Sequence, residues 1–387
     1  MNELKQWSQG EQTKQVTKTS RYWVHYGTEK HLDIQCGNAA FVLGYNDGDV
    51  LNAMREQPIN FLRGNSGESC EANDELIKYV CEKGNWASVA WAVSGSDAVE
   101  TAIAMNDSYW AQRGERKTKI LSFVPGYHGT TMLAKHLRGE YAYLNRAVMV
   151  QAPNWRTKEQ QEETELQALR TVRQILENNT EIGCLIMETM PWVSDISPYT
   201  KNWWQTIRNL CDEFGILFVL DDVALCWGKM GTMFGWQSYG VQPDISALGK
   251  SFTAGYTPLG AAVCNKRVSD VLSTKSWDHG HTWAPNMQGI AASLVATKKI
   301  ENLLPRVDGI KQRLVGIGES LGLTYRGDCL FACYDTPTTY TLANLSSVGL
   351  AATIPGHNCI KIISPLIADD EYFGELQTRL EALVSLK

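Results

Sequence analysis

Four short apolar runs, Val89–Val93, Ile120–Val124, Cys184–Met187 and Ile216–Leu220, each halted by small or polar residues, constrain this chain more than any other feature. Uninterrupted apolar runs of this length suit strands covered on both faces, whereas a half-exposed strand would alternate. Helical patterns lie between them. In the stretch from Lys158 to Asn179, Leu166, Leu169, Val172, Ile175 and Leu176 recur at three- and four-residue intervals, which predicts an amphipathic helix. Trp203, Ile207, Leu210, Cys211 and Phe214 form a second stripe, with Gly215 placed to end it. Strands alternating with helices predict an α/β fold with a mainly parallel sheet, and such sheets bind ligands beyond the carboxyl ends of their strands. Those ends are Ser94-Gly95-Ser96, Gly126-Tyr127-His128-Gly129, Glu188 and Asp221-Asp222.

Beyond about Thr282 the pattern changes to a long helix from Asn286 to Asn302, shorter strands and a final helix, as in a smaller α+β unit. The expected division is residues 1–60 as an N-terminal arm with part of a small domain, 61–285 as the large domain, and 286–387 as the C-terminal small domain. With 44% hydrophobic and 20% charged residues the chain has material for such cores. A net charge of -6 lacks the basic excess of a nucleic-acid binder. The 10 cysteines include no CxxC pair or zinc-type spacing, so buried thiols and no metal are expected. The start of the chain is polar and no apolar run reaches about 18 residues. No membrane association and a cytoplasmic location are therefore expected.

Ser94-Gly95-Ser96-Asp97 follows a strand and opens a helix, where backbone N–H groups and a hydroxyl can seat a phosphate; an ordinary helix cap uses the same residues. Tyr127 stands near two permissive glycines and suits a flat ring, or plain burial. His128 is expected as a hydrogen-bonding neighbour. Asp221 ends an apolar strand, where a carboxylate is costly unless paired; a protonated pyridine nitrogen is one such partner. Lys250 follows the strand-like stretch Asp244–Gly249, which brings an amine to the same edge, although most lysines are simply surface charges.

Taken together, VSGSDAVETAIA, GYHGTT, LDDVALCWGKMG, DISALGKSFTAGYTPLGAA and GHTWAPNMQGIAA, spanning Val93 to Ala292, resemble the successive signatures of class III (ω-amino acid type) aminotransferases. The resemblance implies a fold type I enzyme dependent on pyridoxal 5'-phosphate. It makes Lys250 the Schiff-base lysine, Asp221 the partner of the pyridine nitrogen, Tyr127 the stacking ring, and Gly95 with Ser96 the phosphate cradle. Val223 would pack on the other ring face, Glu188 would lie near the cofactor, and Thr282 would reach the phosphate of a neighbouring subunit in a homodimer with shared sites. The implied reaction is ping-pong transfer of an amino group from an amine or amino acid to a keto acid or aldehyde.

Departures from the family pattern cluster on the substrate side: Val93, Thr189, Cys226, Lys229, Met287, and Lys361 where many members carry a carboxylate-gripping arginine. A lysine there lacks the bidentate fork. Arg21 is the candidate replacement, while Trp23 and Trp192 are candidates to line an apolar pocket, with core packing as the plain alternative. The stretch SYWAQRGERKTKILSFVPGYHGTT is similar to diaminopelargonate aminotransferases. An aminomutase of the glutamate-1-semialdehyde kind and a cofactor-binding scaffold without turnover are the other readings kept.

Overall fold

The computed structural model describes residues 14–63, 67–193, 196–275 and 277–386; residues 1–13 of the expected N-terminal arm lie outside them. The described chain begins with an antiparallel meander of β1 (Lys18–Ser20), β2 (Trp23–Tyr26) and β3 (Glu29–Asp33). The four apolar runs become β4 (Ser88–Ala92), β5 (Lys119–Val124), β7 (Ile182–Glu188) and β8 (Leu217–Asp221) of one seven-stranded sheet that also holds β6 (Ala147–Gln151), β9 (Ile245–Leu248) and β10 (Gly260–Cys264). Their spatial order is β4-β10-β9-β8-β7-β5-β6. Strands β5 to β9 are parallel, as the continuous apolar pattern predicts. β10 is antiparallel to both neighbours, because the short link from β9 holds no helix able to carry the chain back for a parallel pairing.

Helices cover both faces. On one, the helix Gly95–Gln112 buries Ala98, Ile103, Tyr109 and Trp110 against β4, β9 and neighbouring strands. On the other, the helices Lys158–Asn178 and Lys201–Glu213 contribute Leu169, Val172, Trp203, Trp204 and Ile207. Phe214 closes the second of these, and Gly215 takes the left-handed conformation (φ +62°) that its position at the helix end requires. One detail of the expected stripe differs: Leu166 is exposed, and the buried face runs through Glu165, Ala168, Leu169, Val172 and Leu176. Glu165 turns inward because it accepts the N–H of Thr200, the cap of the next helix, at 2.9 Å.

The C-terminal part carries the helix Met287–Leu303, capped by Asn286, and a three-stranded antiparallel sheet of β11 (Thr324–Asp328), β12 (Phe331–Asp335) and β14 (Cys359–Ile363). The intervening β13 (Leu350–Ala351) pairs in parallel with β3, so the first and last segments of the chain share a sheet. They also share a core: Tyr22 and Leu32 belong to the same buried cluster as Trp227, Phe331 and Leu376. No helix among the described residues is long and apolar enough to cross a membrane.

Candidate active site

Loops leaving β4, β5, β7, β8 and β9 meet over one edge of the central sheet and line a cavity of about 160 Å³. β4 and β9 both run against β10, so they point the same way and their carboxyl ends open on this edge. At the end of β4, Ser94 caps the helix Gly95–Gln112 by accepting the Asp97 N–H at 3.2 Å, while Asp97 accepts the Val93 N–H at 2.7 Å. Gly95 has no room for a side chain, since a Cβ would stand 2.5 Å from Cγ1 of Val223. At Gly129 (φ +121°) a Cβ would run into Ser96, whose Oγ accepts the Thr130 N–H at 3.1 Å. The two loops are thereby locked together, leaving a helix start open to an anion.

Across the cavity, His128 Nδ1 and Asp221 Oδ2 are 2.8 Å apart and both residues are buried. An ionised carboxylate only accepts, so His128 donates from Nδ1. Asp221 Oδ1 also accepts the Val223 N–H at 3.2 Å. Glu188 accepts the Tyr127 N–H at 2.9 Å, and the Arg138 guanidinium lies 5.2 Å from the centroid of the Tyr127 ring. Lys250 reaches the cavity from the residue after Gly249, and its own backbone is left-handed at φ +47°. That conformation is uncommon outside glycine and costs about 1 kcal/mol or more. Its Nζ stands 4.8 Å from the centroid of the Trp192 ring.

Burial governs the electrostatics. It pushes Lys250 below the usual lysine range, against the opposing pull of Asp221 and Glu188, and raises the Glu188 carboxyl to about 7. Burial also opposes charge on His128, but the hydrogen bond and charge of Asp221 outweigh it and hold the imidazole above its ordinary value. Behind the cavity the departures from the family pattern are accommodated. Thr189 donates its hydroxyl to Asp222 at 2.6 Å, and the Gly235 N–H donates to the same carboxylate at 2.8 Å. Lys229, fully buried, donates to Ser251 Oγ at 2.5 Å; burial brings its amine down to about 8.

Of the candidate site residues, Ser94, Gly95, Ser96, Tyr127, His128, Glu188, Trp192, Asp221, Val223 and Lys250 line this one cavity. Four others do not. Arg21 is held at the surface by Asp369 at 2.6 Å and faces Glu371 at 3.5 Å. Trp23 points into the core from β2, with the Lys30 amine 3.6 Å from its ring centroid. Lys361 is buried and donates to the Val193 carbonyl at 2.7 Å. Thr282 is exposed, beside His281, which pairs with Asp97 at 2.8 Å. Sequence reasoning missed Arg138, for which no local signal existed: it lies in a loop after the short helix Met132–His136 and meets Tyr127 only through the fold.

Residues 9–384 match the family described as aminotransferase class III. The chain belongs to the class III aminotransferases. An aminotransferase of Gibberella zeae is 29% identical over 318 residues, 75% of this chain and 60% of that protein. The adenosylmethionine-8-amino-7-oxononanoate aminotransferase of Staphylococcus aureus is also 29% identical, over 71% of this chain and 64% of its own length. The chain thus spans somewhat less than two thirds of these two relatives. Among solved structures, a PLP-bound amine transaminase from an uncultivated Pseudomonas species superimposes with a TM-score of 0.89 at 24% identity, covering 99% of both chains. An omega transaminase of Pseudomonas jessenii gives 0.90 at 22% identity, covering 96% of this chain and 92% of its own. These place the class III chain in fold type I.

The amine transaminase of that comparison is PLP-bound, and the cavity of this chain carries a donor set that fits pyridoxal 5'-phosphate. An anion seat at a glycine-lined helix start, a buried carboxylate, an aromatic ring and a half-buried amine converge there.

Proposed function

We propose that this chain moves an amino group from an amine or amino-acid donor to a keto acid or aldehyde acceptor, both half-reactions using one site. The observation that carries the reading is that the amine of Lys250 and the carboxylate of Asp221 line a single cavity. In this reading Lys250 holds the aldehyde of pyridoxal 5'-phosphate, and its amine, when free, carries a proton at Nζ. A depressed affinity for protons suits that work, because a lysine at its ordinary value would stay charged near neutrality. Asp221, oriented by His128, would face the ring nitrogen of the bound cofactor and keep it protonated. Tyr127 and Val223 bracket the ring, Ser94, Gly95 and Ser96 seat the phosphate, and Glu188 orients the Tyr127 loop. When bound, the ring supplies an electron sink for the charge left on the donor carbon.

The reading extends to a homodimer in which exposed Thr282 serves the neighbouring subunit's phosphate, and to a cytoplasmic enzyme. Visible spectra of the purified protein, before and after a panel of amines, test the central claim together with Lys250→Ala. The wild type should show a visible band that donor amines bleach, and the variant should lack it. An unchanged band and turnover in Lys250→Ala would sink the proposal. A second reading has its own support: besides the Staphylococcus aureus relative, the adenosylmethionine-8-amino-7-oxononanoate aminotransferase of Aquifex aeolicus is 28% identical. Including S-adenosylmethionine as donor and 8-amino-7-oxononanoate as acceptor in the panel separates the two.

A further inference from the structure

Lys361 and Arg326 occupy one row of the C-terminal sheet. Arg326 on β11 is the register partner of Cys333 on β12, and Cys333 is the partner of Lys361 on β14. Paired residues on adjacent strands share a face, so two cations stand on the same side, one strand apart. Both are buried, at 2% and 3% exposure. Asp335 neutralises Arg326, accepting from Nε at 2.9 Å and from Nη2 at 2.6 Å. What remains of each cation's donor capacity includes bonds to one segment of the chain. Arg326 Nη1 donates to the Ile196 carbonyl at 2.9 Å, and Lys361 Nζ donates to the Val193 carbonyl at 2.7 Å.

That segment leaves β7 at Glu188 and carries Trp192, whose ring closes the cavity beside Lys250. Backbone carbonyls bound by buried cations are strongly held, because such bonds are charge-assisted and water is excluded from them. We infer that Lys361, with Arg326, is a positioning residue: the row fixes the backbone beside Trp192 and so holds the indole against Lys250, rather than meeting substrate itself. The inference rests on the reading of Lys250 as the reactive amine. Lys250 also faces Asp221, Glu188 and Cys226, and the buried Lys229 amine opposes it; none of these four contacts the row in any bond described above. Displacing Trp192 therefore admits water to the amine while leaving those four groups in place.

The test begins without cofactor, which keeps it separate from the spectral test of the function. Cofactor-free protein is treated with trinitrobenzenesulfonate over a pH series, and modification of Lys250 is followed by peptide mass spectrometry. With its enclosure loosened, Lys250 in Lys361→Met should titrate about half a pH unit or more above the wild type. Lys361→Arg, which keeps the donors, should stay close to it. In the loaded enzyme, Lys361→Met should lower kcat by a similar factor for amine donors and for carboxylate-bearing donors, with the ratio of their KM values unchanged. An unmoved Lys250 midpoint in Lys361→Met overturns the inference, whatever happens to Tm. So does a rise in KM confined to carboxylate-bearing donors, which would make Lys361 a substrate ligand. Should Lys361→Met fail to fold, Lys361→Leu, which likewise lacks a donor, carries the same comparison.

Discussion

Glu188 and Asp221 end adjacent parallel strands in register but have different partners. Asp221 has an imidazole at 2.8 Å, whereas the hydrogen bond Glu188 accepts is from the neutral Tyr127 N–H. Burial, with the nearby Asp221 charge, raises the Glu188 carboxyl to about 7 from an ordinary 4.5. The folded chain then holds a proton there over a range in which the unfolded chain has lost it. Stability contributed by this group falls as pH rises from about 4.5 to 7, since the folded state binds more protons across that window. Glu188→Gln, which keeps the acceptor for Tyr127, should remove this slope and stabilise the cofactor-free protein by up to about 3 kcal/mol at pH 7. Urea denaturation of both proteins at pH 5 and pH 7 measures it; equal slopes would show that Glu188 ionises freely in the fold.

A strained element ties the N-terminal segment to the proposed reactive lysine. From Cys36 to Ala39 the backbone turns left-handed at every residue, with φ of 51°, 53°, 61° and 65°. L-residues lose roughly 1–2 kcal/mol each in this conformation, so the turn persists only because it is held at both ends. Asp33 accepts the Gln35 N–H at 2.8 Å and the Gly37 N–H at 2.7 Å at its start. At its end Ser251, the residue after Lys250, donates to the Ala39 carbonyl at 3.0 Å, or to that of Ala40 at 3.1 Å. Gly37 is the one position where a side chain has nowhere to go, because a Cβ would meet the ring of Phe41. Gly37→Ala should cost about 1–3 kcal/mol in urea denaturation, and because the turn rests on Ser251 it should weaken cofactor binding as well. A variant as stable as the wild type would mean that the turn relaxes freely.

At the scale of the molecule, the largest buried cluster draws on the N-terminal meander, the loop after β8, the helix Met287–Leu303 and the C-terminal sheet. The proposed small domain is thus packed on the part carrying the candidate site through shared apolar surface, with Trp227 donating to Thr297 at 2.8 Å across the join. Trp283 is 71% exposed and Phe61 44%, and their rings meet edge to face at 5.9 Å, one residue beyond Thr282. Large aromatic groups left in water beside a proposed shared site are what a subunit contact would bury. If the proposed homodimer forms through this surface, Trp283→Asp should shift sedimentation from dimer toward monomer at micromolar concentration, together with weaker cofactor retention. If sedimentation matches the wild type, Trp283 lies outside any subunit contact.

The sequence alone determined the sheet and the identities at its edge. Apolar runs at β5, β7 and β8 had to be buried on two faces, whereas the run at β4 became a half-buried edge strand; the small or polar residues ending all four gather at one edge because these strands point the same way. Lys250 was legible for the same reason, as the residue following a strand of that set. The second ring of contacts was not. Arg138 against Tyr127, Thr189 on Asp222, Lys229 on Ser251 and Lys361 on the Val193 carbonyl are pairings between segments distant in the chain or set by loop geometry. Arg21 and Lys361 show the difference most clearly: each was a cation available for a carboxylate until the fold set Asp369 beside one and a backbone carbonyl beside the other. Periodicity dictates which face of a strand is buried, but a charged side chain takes the nearest partner that three-dimensional packing offers, and only the tertiary structure fixes which partner that is.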